Sequence, residues 1–312
     1  MTHISTPADA RPSSDRFRCG GRGSNFPAAI VCILLLLGAA TLSAGEAIPY
    51  RLLIGDSQNG KIFIREKDGT IRWEHNPGGR SFDGSKLANG NVLFTFQGGN
   101  RAGVVEVTPD HKEVFRYEVK GPEVHTVQRL PDGLTLLDDV ANTRLIEVDA
   151  QGQIKRELKL NTKSSAHHMT RLARKQPDGT YLVAQVGDEA IVEYKADGTE
   201  ARRIPMKSQA HLATRLPSGN LLIATGSGKG VVELDAKDKP VWDFASSNFP
   251  ADATPVWTVD AQRLPNGNTM IVNWLGHGAN GKGVSVMEST PDKKVVWALH
   301  EVRTVFYVQI LE

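Results

Sequence analysis

His125, His167 and His211 stand at one recurring position, four residues before the start of the phrases RLPDG (129), RLARKQPDG (171) and RLPSG (215). Imidazole serves both as a neutral metal ligand and as a nucleophile or general base near neutral pH. Several copies aimed at one point could therefore hold a divalent metal or carry out group transfer. His168 follows directly on His167. Asp83 and Asp260 lie three residues before the matching position of two further copies, KLANGN (86) and RLPNGN (263), where a carboxylate would orient an imidazole or complete a ligand set. Trp274 and His277 in WLGHGANGKG, and Trp257 in SSNFPADATPVWT, are candidate binding residues in long variable segments. Duplication would equally copy a histidine that only hydrogen-bonds within its own unit, and both readings stand on these residues alone.

The elements that must position these side chains come from a repeat. The phrase recurs at 86, 129, 171, 215 and 263, a period in the forties. Each unit reads as four short strands separated by turn signals: an apolar run ending in an LPDG-like turn, a run such as NLLIAT, a run such as RLIEVDA, and a run such as IKREL. No 3.6-residue periodicity is present. Residues 50–76 match strands two to four of a unit but lack the first, and TVFYVQILE (304–312) supplies it. The expected fold is therefore all-β: a six-bladed β-propeller closed by pairing of the C-terminal strand with the N-terminal blade, the other five blades starting near 81, 124, 167, 210 and 257. Two loop classes are short and stereotyped, and the long segments fall on the remaining face. That face, with the first strands lining the channel, is expected to form a histidine-lined funnel.

Other features read as scaffold. Trp73, Trp242 and Trp297 alternate with apolar neighbours and fit packing between blades. Glu106, Glu147, Glu193, Glu233 and Glu288 recur on the third strands and fit cross-strand partners for Arg or Lys. GSGKG at 226 lacks the Lys-Ser/Thr and the helix of a phosphate loop and reads as a turn. His75, His111 and His300 fall at strand ends or turns away from the set. Asp138 and Asp139 occur in one copy only and carry no assigned role.

The 312 residues are 40% hydrophobic and 23% charged, enough for one large all-β domain and unlike disordered or collagenous chains. The formal charge of +2 comes entirely from residues 1–44, so no nucleic-acid partner is implied. Residues 27–42 form the one long apolar run, preceded by arginines and followed by small residues. Residues 1–44 are therefore expected to be a signal peptide or an uncleaved membrane anchor, with 45–312 as a single extracytoplasmic propeller domain. Both cysteines, Cys19 and Cys32, belong to that leader, which leaves no thiol chemistry to the remainder.

The pattern E-V-D-x-x-G-x-x-x-W followed by H-x-x-x-R-L-P-N-G-N resembles the repeats of pyrroloquinoline-quinone-like propellers and of the bacterial arylsulfate sulfotransferases, over about residues 50–312. The sulfotransferase resemblance implies an exported six-bladed propeller with a central histidine that carries the sulfuryl group, the candidates being His125, His167, His168 and His211. The chain is much shorter than those enzymes and has neither their additional N-terminal β domain nor a cysteine pair after the leader. The quinone dehydrogenases are similar in the tryptophan-bearing repeat but have eight blades and adjacent cysteines, so the quinone is not expected here. The leading expectation is a binding or interaction module that takes a small molecule, protein or peptide at the funnel, with no cofactor beyond a divalent metal. The alternative is an arylsulfotransferase-like or metal-dependent hydrolase-type enzyme using the funnel histidines.

Overall fold

A computed structural model of the chain describes residues 48–164, 166–279 and 282–311. The leader, its two cysteines and the expected cleavage or anchor lie outside these residues. Six four-stranded antiparallel sheets follow one another. Blade 1 joins Val305–Leu311 to Arg51–Asp56, Lys61–Arg65 and Ile71–His75, so that the last strand lies innermost and Leu52 faces Ile310. Blades 2 to 6 begin at Gly84–Lys86, Val127–Arg129, Ala173–Lys175, Leu212–Arg215 and Trp257–Arg263. These innermost strands touch in sequence around a closed ring. Among the described residues no helix is long and apolar enough to cross a membrane.

The strands form because β-branched and large apolar residues fill both faces of the inner sheets. Leu52, Leu53 and Ile54 in blade 1, and Leu136 and Leu137 in blade 3, are fully buried. The recurring Asn-Gly or Asp-Gly signal works through backbone shape: Gly133 and Gly267 sit at φ of 85° in the turn between first and second strands, a conformation costly for other residues. The third-strand glutamates clamp neighbouring blades. Glu106 accepts from Arg129 of the next blade (2.6 Å), Glu193 from Arg215 (2.7 Å) and Glu233 from Arg263 (2.6 Å). Trp73 and Trp242 donate to the carbonyls of Pro109 and Pro291 in the following blades. The tryptophan role matches the expected packing between blades. The glutamates meet arginine mostly across blades instead of across strands, Glu147–Arg156 being a cross-strand pair, and Glu288 takes Tyr50, Asn268 and Trp297 instead.

Blade 4 departs from it. Lys175, not Arg171, is the residue that pairs with the start of the second strand (Tyr181), as Arg129 pairs with Thr135 and Arg215 with Leu221. Lys175 also reaches Glu147 (2.6 Å), the clamp that arginine makes elsewhere. A 3-10 turn at Ala166–His168 takes up the four residues of difference, and the first strand starts at 173 instead of near 167.

Candidate functional site

The corrected register defines a ring. Four residues before the clamp position stand Phe306, Phe82, His125, Arg171 and His211 in blades 1 to 5. All five line one cavity of about 300 Å³. In blade 6 the same position is Val259, inside a bulge, and it contributes its carbonyl. The cavity thus sits at the end of the channel where the innermost strands begin. His167, His168, Glu123 and Arg80 come to it from the connections between blades, with Gln58 from the turn between Arg51–Asp56 and Lys61–Arg65 in blade 1 and Trp257, Trp274 and His277 of blade 6.

His125 is 1% exposed. Asp138, directly behind it, accepts from the main-chain N–H groups of His125 and Thr126 (2.8 Å each) and lies 3.2 Å from His125 Nδ1. A carboxylate there selects the tautomer with the proton on Nδ1 and leaves the Nε2 lone pair free. That Nε2 has no hydrogen-bond partner and lies 3.7 Å from Glu123 Oε2. His211 repeats the logic with a different partner: Nδ1 donates to the Val259 carbonyl (2.9 Å), and Nε2 is again buried without a partner. Burial, helped by the charge of Arg171, holds this imidazole well below its ordinary pKa, so it stays neutral.

Arg171 is 9% exposed. Its guanidinium donates to the carbonyls of His167 and Thr170 and sits 3.2 Å from His167 Nε2. Among the described residues no carboxylate lies within ion-pair distance of it, and burial pushes its pKa down to about 10, which leaves it charged at neutral pH. Glu123 is turned to His167 Nδ1 (2.9 Å), and that hydrogen bond holds its carboxyl below the usual range. On the opposite side Trp274 packs edge-on against Phe306 and His277, with ring centroids 5.3 and 4.5 Å apart, and Trp257 packs on His277 at 5.7 Å. One wall is therefore aromatic and the other basic.

The candidate histidines His125, His167, His168 and His211 and the residues Trp257, Trp274 and His277 all line this cavity. Asp83 and Asp260 do not. Asp83 is buried deeper in the channel, where Arg174 grips it with two bonds (2.7 and 2.8 Å) and the Val127 N–H donates to it. Asp260 lies near the same arginine and accepts from Gln262 (2.8 Å). Burial pushes both carboxyls up, against the pull of Arg174. Their spacing of three residues, against four for the histidines, already places them on the other side of the strand. Sequence reasoning missed Glu123 and the site role of Arg171. Glu123 belongs to a connecting segment with no repeated pattern, and a lysine at 175, four residues beyond Arg171, was the one signal of the displaced register. The remaining histidines among the described residues lie elsewhere: His75 Nδ1 faces His111 Nδ1 at 3.3 Å, and His300 pairs with Asp252.

No protein-family model matches the chain, and no curated protein sequence does. Solved structures are similar in fold. A Bacteroides caccae protein of unknown function shares 24% identity, with a TM-score of 0.72 over 84% of this chain and 98% of that one. A catalytically inactive histidine-to-alanine variant of virginiamycin B lyase from Staphylococcus aureus, crystallised with quinupristin, shares 16% with a TM-score of 0.55 over 81% and 86%. A nidogen/laminin complex shares 14% with a TM-score of 0.60 over 83% and 97%. At these identities the likeness is one of architecture: six blades, four strands each, closed into a ring.

Proposed function

We propose that the chain is a small-molecule-binding propeller whose cavity takes an amphipathic anion, with a flat apolar body against Trp257, Trp274, Phe82 and Phe306 and an acidic group at Arg171. The observation that carries this reading is Arg171 itself, a buried cation lining an open cavity that, among the described residues, has no carboxylate within ion-pair distance and feels Glu123 and Asp138 only at longer range. A buried charge without a directly paired counter-ion is costly, and an anionic ligand would supply one in contact. Arg80 at the cavity wall adds a second positive charge. The apolar run at 27–42, read as part of a signal peptide or anchor over 1–44, supports an extracytoplasmic setting for this binding. Among the neighbouring folds one is seen in a nidogen/laminin complex and another is a lyase variant crystallised with quinupristin, and the aromatic wall favours the small molecule here. The test is calorimetry with aryl sulfates and aryl carboxylates against their neutral amides. Preference for the anions, lost in Arg171→Met, is expected. Equal binding of the neutral compounds would overturn the reading.

A catalytic reading of the same cavity is favoured by the Asp138–His125 pair, because an oriented imidazole with a free Nε2 is what a nucleophile needs. On an aryl sulfate, Nε2 would attack sulfur and the bond from sulfur to the aryl oxygen would break. The aryl oxide would leave while Arg171 neutralises the sulfuryl oxygens. This is the chemistry of the sulfotransferases that the repeats resemble. Release of 4-nitrophenolate from 4-nitrophenyl sulfate that disappears in His125→Ala supports it. Release that survives the substitution, or none in the parent protein, removes it.

A further inference from the structure

We infer that Glu123, His125 and His167 form a binding site for one divalent transition-metal ion of the zinc type, at the edge of the cavity. A carboxylate oxygen and two imidazole nitrogens of these residues lie within 4.8 Å of one another. Glu123 Oε1 is 2.9 Å from His167 Nδ1, and Glu123 Oε2 is 3.7 Å from His125 Nε2. Donor atoms about 2.1 Å from a tetrahedral ion stand roughly 3.4 Å from each other, so the three need only small side-chain shifts to share one ion. One carboxylate and two imidazoles suit a borderline ion and fit magnesium or calcium poorly.

His125 supplies an independent observation. Its ring is 1% exposed, and its Nε2 points to this cluster without a hydrogen-bond partner, a costly state for a buried nitrogen that a metal would relieve. The opposite nitrogen is already held by the Asp138 carboxylate, the outer-shell arrangement that fixes the tautomer and orientation of a ligating imidazole. Glu123 and Asp138 together bring two negative charges to offset the dication. Arg171, 3.2 Å from His167 Nε2, opposes the ion, so the site should be weaker than a structural zinc centre. Three protein ligands leave at least one coordination position open toward the cavity. The inference stands apart from anion binding at Arg171, and it excludes nucleophilic use of His125, because the metal would occupy the same lone pair.

The experiment is titration of the purified, chelator-treated full chain with Co²⁺, read by visible absorption, followed by displacement with Zn²⁺. One tetrahedral cobalt per chain is expected. Glu123→Gln and His167→Gln, both on connecting segments outside the core, should weaken it by at least about tenfold, and Asp138→Asn by roughly 10–100-fold through the outer shell. His75→Gln, at the distant histidine pair, should change nothing. No cobalt binding, or binding that survives Glu123→Gln and His167→Gln, would overturn the assignment. Arg171→Met separates the two readings, since it should abolish anion binding while cobalt binding persists or tightens with the opposing charge gone.

Discussion

Asp138 meets His125 twice, accepting its main-chain N–H at 2.8 Å with one oxygen and lying 3.2 Å from Nδ1 with the other. One side chain thereby fixes both where the imidazole stands and which nitrogen faces the cavity. In Asp138→Asn the amide oxygen can still accept from the main chain, but an NH₂ group then faces Nδ1 and the proton moves to Nε2. Stability should fall by about 1–2 kcal/mol. Nitrogen-detected NMR of the histidine rings should report the changed tautomer, and an unchanged tautomer would remove Asp138 from its orienting role.

His211 is neutral in the folded protein because charging it is opposed by burial and by Arg171. Its folded pKa lies below the unfolded value of about 6.5, so the unfolded chain binds the extra proton as pH falls. The stabilisation is fully present above about pH 6.5 and is lost below it, by up to about 1.4 kcal/mol per pH unit. Denaturant melts of the parent and His211→Gln from pH 7.5 to 5 should converge toward acid. Parallel curves would show that His211 titrates normally.

Asp260 has the opposite sign. Burial raises its carboxyl, Arg174 is already engaged by both oxygens of Asp83, and the folded state therefore holds a proton more readily than the unfolded chain. Its contribution is most favourable at low pH and is lost as pH rises through the elevated pKa. Asp260→Asn, which keeps an acceptor for Gln262, should stabilise the protein at pH 7 by roughly 1 kcal/mol, with the gain shrinking toward pH 4. A lower melting temperature for the variant at pH 7 would contradict this.

The strand Val305–Leu311 closes the ring through its pairing with Arg51–Asp56. Deleting residues 304–312 would uncover that edge and strip the core of Val305, Phe306, Tyr307 and Val308, all buried. Loss of cooperative melting and concentration-dependent aggregation are expected by scattering and circular dichroism. A truncated chain that melts like the parent would rule out closure as a source of stability.

Much of this was legible because duplication writes the scaffold several times over. The shared blade, the glutamate clamps and the turn glycines each recur, and each recurrence corrects the reading of the others. What occurs once is harder to see. The extra turn at Ala166–His168 leaves no pattern of its own, so Arg171 reads as a clamp residue until the pairing of Lys175 with Tyr181 fixes the register. Asp83 and Asp260 look like partners for the histidines because a strand brings them within one residue of the same height. Side-chain alternation turns them instead into the channel, where Arg174 waits from another blade. Glu123 depends wholly on the path of a connecting segment.

Phe306, Phe82, His125, Arg171 and His211 stand at one position on five successive copies of the same unit. Each is carried at the head of its own blade's innermost strand, so a side chain can be exchanged while the ladders of the other blades stay in place. Such a ring behaves as a combination lock: descent can turn one dial at a time, from phenyl to imidazole to guanidinium, and recode what enters the cavity without renegotiating the fold.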